Sequence, residues 1–396
     1  MKTTEKNGKL ILIPPERIDT TNAPDVEKEI MDAIAAHPGL TPAFDMTELQ
    51  YISSAGLRVL MKVRKLANVE LDAYNVSSDV YEIMQTTGFT DLLNVKKKIR
   101  EISVEGCPVI GEGGFSKVYR IDPETIVKIY RKEVGQAFVE KERNLSQKAF
   151  IYGVPTAISY DVVSCGESFG VVYELLNTET VAEIISGNPE RIPELGFRMG
   201  KLLKEMHGIE VDDDIFPDKK QRYFKVIEEM KPFLEEDEYQ TMIRFVSDVP
   251  DQKSFLHGDF HAKNIMLQDN EFLLIDIGDS SVGHPIFDVA TSFLAFVLLP
   301  KVSARTAEQK SELLGFPIEY AEQMWGAIVS GYFDTRDPAE IGKISQKILP
   351  FGFLQMTYQS MMYSADRSEE TMRPRIDHHV RGQLLPAIRN SEGVFF

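Results

Sequence analysis

The stretch SFLHGDFHAKNIMLQDNEFLLIDIGD, residues 254–279, has the clearest pattern in the chain. An apolar run leads to His257, Gly258 and Asp259, a loop continues to Asn264, and a predicted strand ends just before Asp276. Transfer of a phosphoryl group to a hydroxyl needs a carboxylate that orients the hydroxyl and accepts its proton, and it needs oxygen ligands for Mg²⁺ at the phosphates. The pattern therefore predicts that Asp259 is the catalytic base and that Asn264 and Asp276 hold the metal.

A glycine-rich turn lies upstream, in VIGEGGFSKVYRIDPETIVKIY, residues 109–130. Between two predicted strands, Gly111, Gly113 and Gly114 leave room for backbone N–H groups to approach phosphate oxygens. Lys128 follows in a β-branched strand and supplies a positive charge for the α- and β-phosphates. Together with residues 254–279, this segment predicts a site for ATP and Mg²⁺.

A lysine in an apolar strand needs a carboxylate to hold it. The segment QAFVEKERNLSQKAF, residues 136–150, predicts a helix with two candidates, Glu140 and Glu142. We prefer Glu140 because it follows the apolar residues Phe138 and Val139, and Glu142 is the alternative.

The HxDxxxxN spacing of residues 257–264, followed by Asp-x-Gly, resembles the protein kinase signature. Eukaryotic-type protein kinases, however, have Arg at the position of Gly258, a third glycine at the position of Ser116 and Phe at the position of Ile277. The link to VGHPIFDVA, residues 282–290, is also too short for a peptide-docking segment of the usual kind.

HGD in place of HRD, GHPIFDVA and the helix RMGKLLKEMHGIE, residues 198–210, resemble the aminoglycoside phosphotransferase and choline kinase-like family over about residues 108–300. The resemblance implies a bilobal protein-kinase-like fold, with a β-rich N-lobe at about 105–175, a helical C-lobe at about 179–396 and ATP between them. It also implies that backbone groups of YELLN, residues 173–177, hold the adenine. The residues expected to hold the nucleotide are Gly111, Gly113, Gly114, Ser116, Val118, Lys128, Glu140, Glu174 and Leu176.

Residues 1–104 show alternating strand and helix patterns. GKLILIP reads as a strand, DTTNAPDVEKEIMDAIAAH has helix-start residues followed by apolar positions at helical spacing, and YISSAGLRVLMKVRKLA reads as strand, turn and helix. This alternation predicts a separate small α/β domain, a mixed sheet with helices packed against it. We expect the second domain, residues 105–396, to be α+β.

YISSAGLRVL, with DTTNAP before it and GF-DLL after it, resembles the STAS domain of anti-sigma factor antagonists. In that family a serine or threonine two residues before the Gly-Leu pair is phosphorylated, and Gly56-Leu57 places Ser54 there. A helix N-terminus stabilises phosphate, and the added charge repels a partner that docked on the neutral surface. The alternative is that Ser53 and Ser54 only cap the helix. The family often has Asp where this chain has Ser53.

The 396-residue chain has a net charge of −17, and nearly all of the excess acidity follows residue 104. This charge opposes binding to nucleic acid and anionic lipid. It can be read either as an acidic surface that attracts a cationic acceptor or as ordinary solubilising charge.

Two cysteines, Cys107 and Cys165, predict neither a disulfide framework nor a zinc site. The N-terminus lacks a signal-peptide core and the apolar run 293–299 is too short to span a membrane, so we expect a cytoplasmic protein without nucleic-acid or membrane partners.

These patterns predict an ATP- and Mg²⁺-dependent phosphotransferase that acts on a hydroxyl of a small-molecule acceptor, with the STAS-like domain as a regulatory or protein-binding module. The alternative is a regulatory switch protein, in which the kinase-like domain binds nucleotide to control the STAS domain or phosphorylates Ser54. No motif in residues 179–250 or 300–396 identifies the acceptor.

Overall fold

The computed structural model describes residues 1–67, 71–362 and 366–391. The chain divides into two compact units, Met1–Ser103 and Val104–Phe396, one residue before the boundary expected from the sequence. Residues 363–365 and 392–396 of the expected helical lobe lie outside the described residues.

The first unit is built on a mixed sheet. Its strands follow the order β1-β2-β4-β6-β7, in which β1 and β2 are antiparallel and the other neighbours are parallel. The strands are β1 Lys2–Lys6, β2 Lys9–Ile13, β3 Arg17–Ile18, β4 Thr41–Asp45, β5 Tyr51–Ile52, β6 Asp72–Val76, β7 Asn94–Lys97 and β8 Arg100–Glu101. The helices are α1 Ala23–Ala36, α2 Ser54–Ala67 and α3 Ser78–Thr86.

Apolar spacing explains how this unit forms a core. Val26 and Ile30 of α1 lie on one helix face, as do Leu60 and Val63 of α2, and all four are buried in one cluster with the central strands. Residues three or four positions apart share a helix face, so each helix buries one apolar stripe against the sheet.

The second unit begins with an antiparallel sheet in which neighbours run in the order β12-β13-β11-β10-β9. These strands are β9 Val109–Glu112, β10 Ser116–Arg120, β11 Thr125–Tyr130, β12 Ser159–Cys165 and β13 Ser168–Glu174. The helix α4, Gln136–Ile151, connects β11 to β12 and packs against β12 and β13.

The rest of the second unit is mainly helical. Its helices are α5 Val181–Gly187, α6 Ile192–His207, α7 Lys219–Met230, α8 Glu236–Ser247, α9 Ile286–Phe293, α10 Leu299–Val302, α11 Ala307–Leu314, α12 Ala321–Phe333, α13 Pro338–Met362, α14 Glu369–Arg375 and α15 Leu385–Arg389. Four short strands lie among them: β14 Ser254–Leu256, β15 Ile265–Gln268, β16 Glu271–Leu274 and β17 Ser281–Gly283. One large apolar cluster joins these helices and strands into a single core.

The helices α6 and α12 pack with their backbones in contact. A Cβ added to Gly200 would lie 2.1 Å from the carbonyl oxygen of Ile328. No side chain fits in that space, so glycine at this position sets how closely the two helices approach.

Candidate active site

The candidate catalytic loop, residues 257–264, lies between two short two-stranded sheets. Upstream, β14 pairs with β17, and downstream β15 and β16 form a hairpin whose turn places Asp269 and Asn270 at positive φ. The hairpin returns the chain to the loop, where the N–H of Ile275 donates to the carbonyl of Asn264 at 3.0 Å. This hydrogen bond brings Asp276, the next residue, beside Asn264.

Asp259 is held by donors from its own loop. Asn264 Nδ2 donates to its Oδ2 at 3.1 Å and to its backbone oxygen at 2.9 Å. The N–H of Lys263 donates to His261 Nδ1, so the other ring nitrogen, Nε2, carries a proton and donates to Asp259 Oδ2 at 3.2 Å. Burial by itself raises the pKa of Asp259, but His261 and Asn264 outweigh it and lower that pKa to about 2. The carboxylate is therefore ionised at neutral pH.

The buried carboxylate of Asp288 braces the loop from behind. Its two oxygens accept the N–H groups of His257 at 2.7 Å and Gly258 at 2.8 Å. His207 lies 3.4 Å from Asp288 through Nε2, and its Nδ1 lies 2.8 Å from the Tyr332 hydroxyl. Burial by itself raises the pKa of Asp288, but His207 and the other partners lower it below its ordinary value. These contacts fix the backbone that carries Asp259.

Gly258 shows why this loop reads HGD. Its φ is +85°, and a Cβ there would lie 2.3 Å from the carbonyl oxygen of Asp279. An arginine at this position would be strained in φ and would collide with the Asp279 backbone.

Lys128 joins the sheet to the catalytic segment. Its ammonium lies 2.8 Å from Glu142 Oε1 and 2.7 Å from Asp276 Oδ1. Burial by itself lowers the pKa of Lys128, but Asp276 and Glu142 outweigh it and hold that pKa well above its ordinary value. The ammonium is therefore fixed in its charged form.

The expectation that Glu140 holds Lys128 is wrong. Glu140 accepts a hydrogen bond from Gln136 at 2.7 Å, whereas Glu142 is buried and faces Lys128. The apolar residues before Glu140 do not set its direction: Val139 is buried and Phe138 is exposed, and Glu142 lies three residues after Val139 on the same helix face.

The glycine-rich turn connects β9 to β10. The N–H of Gly113 donates to the carbonyl of Ser116 at 2.9 Å, and Gly111 lies opposite Val118 in the ladder. Gly114 has open space around it, and the neighbouring Phe115 is 59% exposed. The turn therefore presents backbone groups at the edge of the sheet. On the next strand, Val118 lies opposite Lys128.

Residues 173–177 begin with the last two residues of β13 and continue beyond it. The carboxylate of Glu174 accepts the N–H of Ile158, the residue before β12, at 2.7 Å. Leu176 is buried. The backbone N–H of Glu174 also donates to the Ile158 carbonyl, at 3.0 Å.

Ser54 belongs to the first unit and is described there alone. It is the first residue of α2 and is exposed, while the hydroxyl of Ser53 accepts the N–H of Ala55 at 3.2 Å. The local cap is therefore made by Ser53, and the Ser54 hydroxyl faces solvent.

Sequence reasoning missed a group of charged residues close to the catalytic loop, Lys219, Arg222 and Asp279. Lys219 is 3% exposed and belongs to the apolar stripe of α7 that continues through Tyr223, Val226 and Met230. A lysine in phase with buried residues of a helix is a signal visible in the sequence.

Residues 108–325, more than half of the chain, match the phosphotransferase enzyme family, and residues 1–102 match the STAS domain. The two matches confirm both resemblances and the predicted fold classes. Within the described part of the chain, no helix combines the length and apolarity that a membrane crossing requires.

Individual relatives are more distant. The anti-sigma-B factor antagonist of Listeria monocytogenes is 29% identical over 82 residues, which are 20% of this chain and 71% of that protein. The ADP-bound crystal structure of aminoglycoside phosphotransferase APH(2'')-Ib is 16% identical with a TM-score of 0.46, covering 78% of this chain and 98% of that chain. A choline/ethanolamine kinase family protein from Mesorhizobium loti is 14% identical with a TM-score of 0.43, covering 72% of this chain and 92% of that chain.

Proposed function

The chain belongs to the phosphotransferase enzyme family, and from this premise we propose that it transfers the γ-phosphoryl group of ATP to a hydroxyl of a small-molecule acceptor, with Mg²⁺ as the required cation. The observation that carries the proposal is the ionised Asp259, hydrogen-bonded to Asn264, in the same unit as an Asp276 that contacts the Lys128–Glu142 pair. A carboxylate, two oxygen ligands and a fixed ammonium are the groups that phosphoryl transfer requires.

Asp259 orients the acceptor hydroxyl and receives its proton. The hydroxyl oxygen bonds to the γ-phosphorus as the bond from that phosphorus to the β-phosphate oxygen breaks, and ADP leaves. A carboxylate with a pKa of about 2 is a weak base, so orientation of the hydroxyl contributes more than proton affinity. Lys128 places its charge at the α- and β-phosphates, and the glycine-rich turn offers backbone N–H groups.

The donors at the metal position fit Mg²⁺. Asn264 uses its amide nitrogen toward Asp259, which leaves its side-chain oxygen for a cation, and the Asp276 carboxylate is half exposed. Within residues 1–67, 71–362 and 366–391 there is no cluster of three or more His, Cys, Asp or Glu side chains that could hold a metal. Mg²⁺ commonly takes one or two protein oxygens and completes its shell with phosphate oxygens and water. When bound, it neutralises charge on the β- and γ-phosphates.

The first unit has a second role in this proposal, as a protein-binding module. The STAS match and the exposed hydroxyl of Ser54 at the start of α2 favour it. Ser54 is the candidate phosphorylation site, and phosphate there would change the charge of the surface beside the half-buried Ser53 and Ala55.

ADP release by the purified full chain tests the enzymatic proposal. We expect Mg²⁺- and acceptor-dependent release, and we expect Asp259→Asn to lower turnover by roughly 10²-fold or more while Mg-ATP still raises the melting temperature. If Mg-ATP leaves the melting curve unchanged, the assignment of the nucleotide site is wrong. Equal turnover of the wild type and Asp259→Asn would remove Asp259 from the chemistry.

A further inference from the structure

Lys219 is a buried cation that has no part in the proposed phosphoryl transfer. It is 3% exposed, and none of the described residues gives its ammonium a hydrogen bond or an ion pair. The ammonium instead lies over two aromatic rings, 5.1 Å from the ring centre of Tyr223 and 4.6 Å from that of Tyr358. Burying an ammonium costs free energy that an anionic partner normally offsets, and in the free protein no such partner among the described residues contacts it.

The surroundings of Lys219 connect it to the catalytic loop. Asp218, the residue before Lys219, forms a backbone β-bridge with Val282 of β17. The strand β17 pairs with β14, which leads into the loop. Burial lowers the pKa of Lys219 to about 8, with a smaller contribution from Arg222, while Asp279, Asp288 and Asp259 oppose this shift through their charges. Lys219 also packs against β17 itself, since a Cβ added to Gly283 would lie 3.3 Å from the Lys219 Cβ.

Two further cations surround the same place. Arg222, one turn along α7, donates to the backbone oxygens of Asp279 at 3.2 Å and Ser280 at 3.5 Å. Burial and the charge of Arg222 lower the pKa of Lys141 on α4, so Lys141 also lies near this cluster. Backbone oxygens use only part of the donor capacity of a guanidinium.

The acidic residues nearby have a raised pKa or make other contacts. Burial, and next the charge of Asp259, raise the pKa of Asp279, while the charges of Lys219 and Arg222 oppose that shift. Asp288 is occupied by the N–H groups of His257 and Gly258 and by His207. Lys219, Arg222 and Lys141 thus form a local group of cations in a chain with a net charge of −17.

We propose that Lys219, assisted by Arg222, binds a carboxylate or phosphate group of the acceptor, so that the substrate is an anionic hydroxyl compound rather than a polycation. This inference rests on the proposed phosphotransferase function. An oxyanion at Lys219 would supply the missing partner for the buried ammonium and would hold the acceptor hydroxyl near Asp259. The Tyr223 ring beneath the ammonium is held in place, because its hydroxyl donates to the buried Gln355 at 2.5 Å.

Matched acceptor pairs test the charge preference. The full chain with Mg-ATP is assayed for ADP release with glycerol against glycerate, ethanolamine against serine, glucose against gluconate, and ribose against ribose 5-phosphate, with a polycationic aminoglycoside as a further arm. We expect at least one member that carries the carboxylate or phosphate to exceed the counterpart that lacks it by roughly 10-fold or more in kcat/KM. The first three pairs report a carboxylate and the last pair reports a phosphate ester.

Variants of α7 test the residue. Lys219→Met should lower kcat/KM for the preferred anionic acceptor by roughly 10- to 100-fold, mainly through KM, and Lys219→Arg should recover part of the loss. The melting temperature of Lys219→Met should equal or exceed that of the wild type, because an unpaired buried charge is removed. A purely structural lysine would give the opposite change in melting temperature. Lys225→Met, on the exposed face of the same helix, is the matched control and should behave as the wild type.

The outcomes separate this inference from the function on which it rests. Suppose that Mg-ATP stabilises the protein but that no anionic acceptor stimulates ADP release. The proposal of an anionic acceptor is then wrong, and the nucleotide site stands. The anionic acceptor site at Lys219 is equally wrong if Lys219→Met and the wild type use an anionic acceptor equally well. If Mg-ATP does not bind, the proposed function fails and this inference fails with it.

Discussion

His261 lowers the pKa of Asp259 through its charge and through a hydrogen bond, and His257 and Asn264 lower it further. Although burial by itself raises the pKa of Asp259, the imidazole N–H and Asn264 lower it to about 2. In the other direction, burial lowers the pKa of His261, but Asp259 outweighs burial and raises it. The His261–Asp259 pair therefore keeps the Asp259 carboxylate ionised over the whole physiological pH range.

His261→Ala should shift the acid limb of the pH profile. Without the ring N–H the carboxylate loses a stabilising donor, so its pKa rises and protonation removes activity at a higher pH than in the wild type. We expect the midpoint of the fall in kcat/KM to move up from about pH 2 by roughly 0.5–1 unit, measured by initial rates of ADP release from about pH 1.5 to pH 6. His378→Ala, an exposed histidine, is the control and should leave the midpoint in place. A downward or absent shift would show that His261 does not set the Asp259 charge.

Glu142→Gln and Glu140→Gln form a matched pair on one helix. Loss of the Glu142 charge removes one of the two carboxylates on the Lys128 ammonium, so we expect Mg-ATP to bind roughly 10-fold more weakly. Glu140 bonds to Gln136 and should be nearly neutral. Calorimetric titration of both variants with Mg-ATP measures the difference, and a greater effect at Glu140 would overturn the assignment.

At the scale of elements, the sequence predicted what is local and missed what depends on helix rotation. Asp259, Asn264 and Asp276 lie within one short segment, and a loop and a hairpin are enough to bring them together. The choice between Glu140 and Glu142 depends on how α4 is rotated against β12 and β13, which is set by packing between segments. Lys219 illustrates the same limit, because its surroundings come from α7, α13 and the catalytic segment.

Gly200→Ala should destabilise the second unit through the α6–α12 contact. The added methyl would overlap the carbonyl of Ile328, and overpacking of this kind costs roughly 1–3 kcal/mol. Gly326→Ala is the matched control: it lies in α12 with no atom within 4 Å of an added Cβ. There, the change should stabilise the protein by roughly 0.5–1 kcal/mol through helix propensity. Urea unfolding of both variants measures the change in free energy of unfolding. Equal changes in the two variants would show that α6 and α12 move apart without loss of stability.

On the scale of the whole molecule, each of the two units has its own hydrophobic core. The first unit ends before the glycine-rich turn begins, so the residues predicted to bind the nucleotide all lie in the second unit. Ser54, at the start of α2 in the first unit, is exposed.

Ser54→Asp should weaken binding of a protein partner to the first unit, because it adds negative charge among small and apolar residues, as a phosphate would. Ser54→Ala should bind as the wild type does. Ser53→Asp is the register control and should have the smaller effect, even though Ser53 is the residue that caps the helix. The measurement is the affinity of each full-length variant for a partner recovered from the native host. If both aspartate variants bind as the wild type does, Ser54 has no switching role.

The close contact between Gly258 and Asp279 also limits how this protein can evolve. Arginine at position 258, as in HRD-type peptide kinases, would occupy space already filled by the Asp279 carbonyl. A single codon change at 258 would therefore produce a damaged loop rather than an intermediate with a new specificity. Residues 276–280 would have to move first, and only afterwards could the arginine be accepted. The geometry thus places a movement of residues 276–280 before any side chain at position 258.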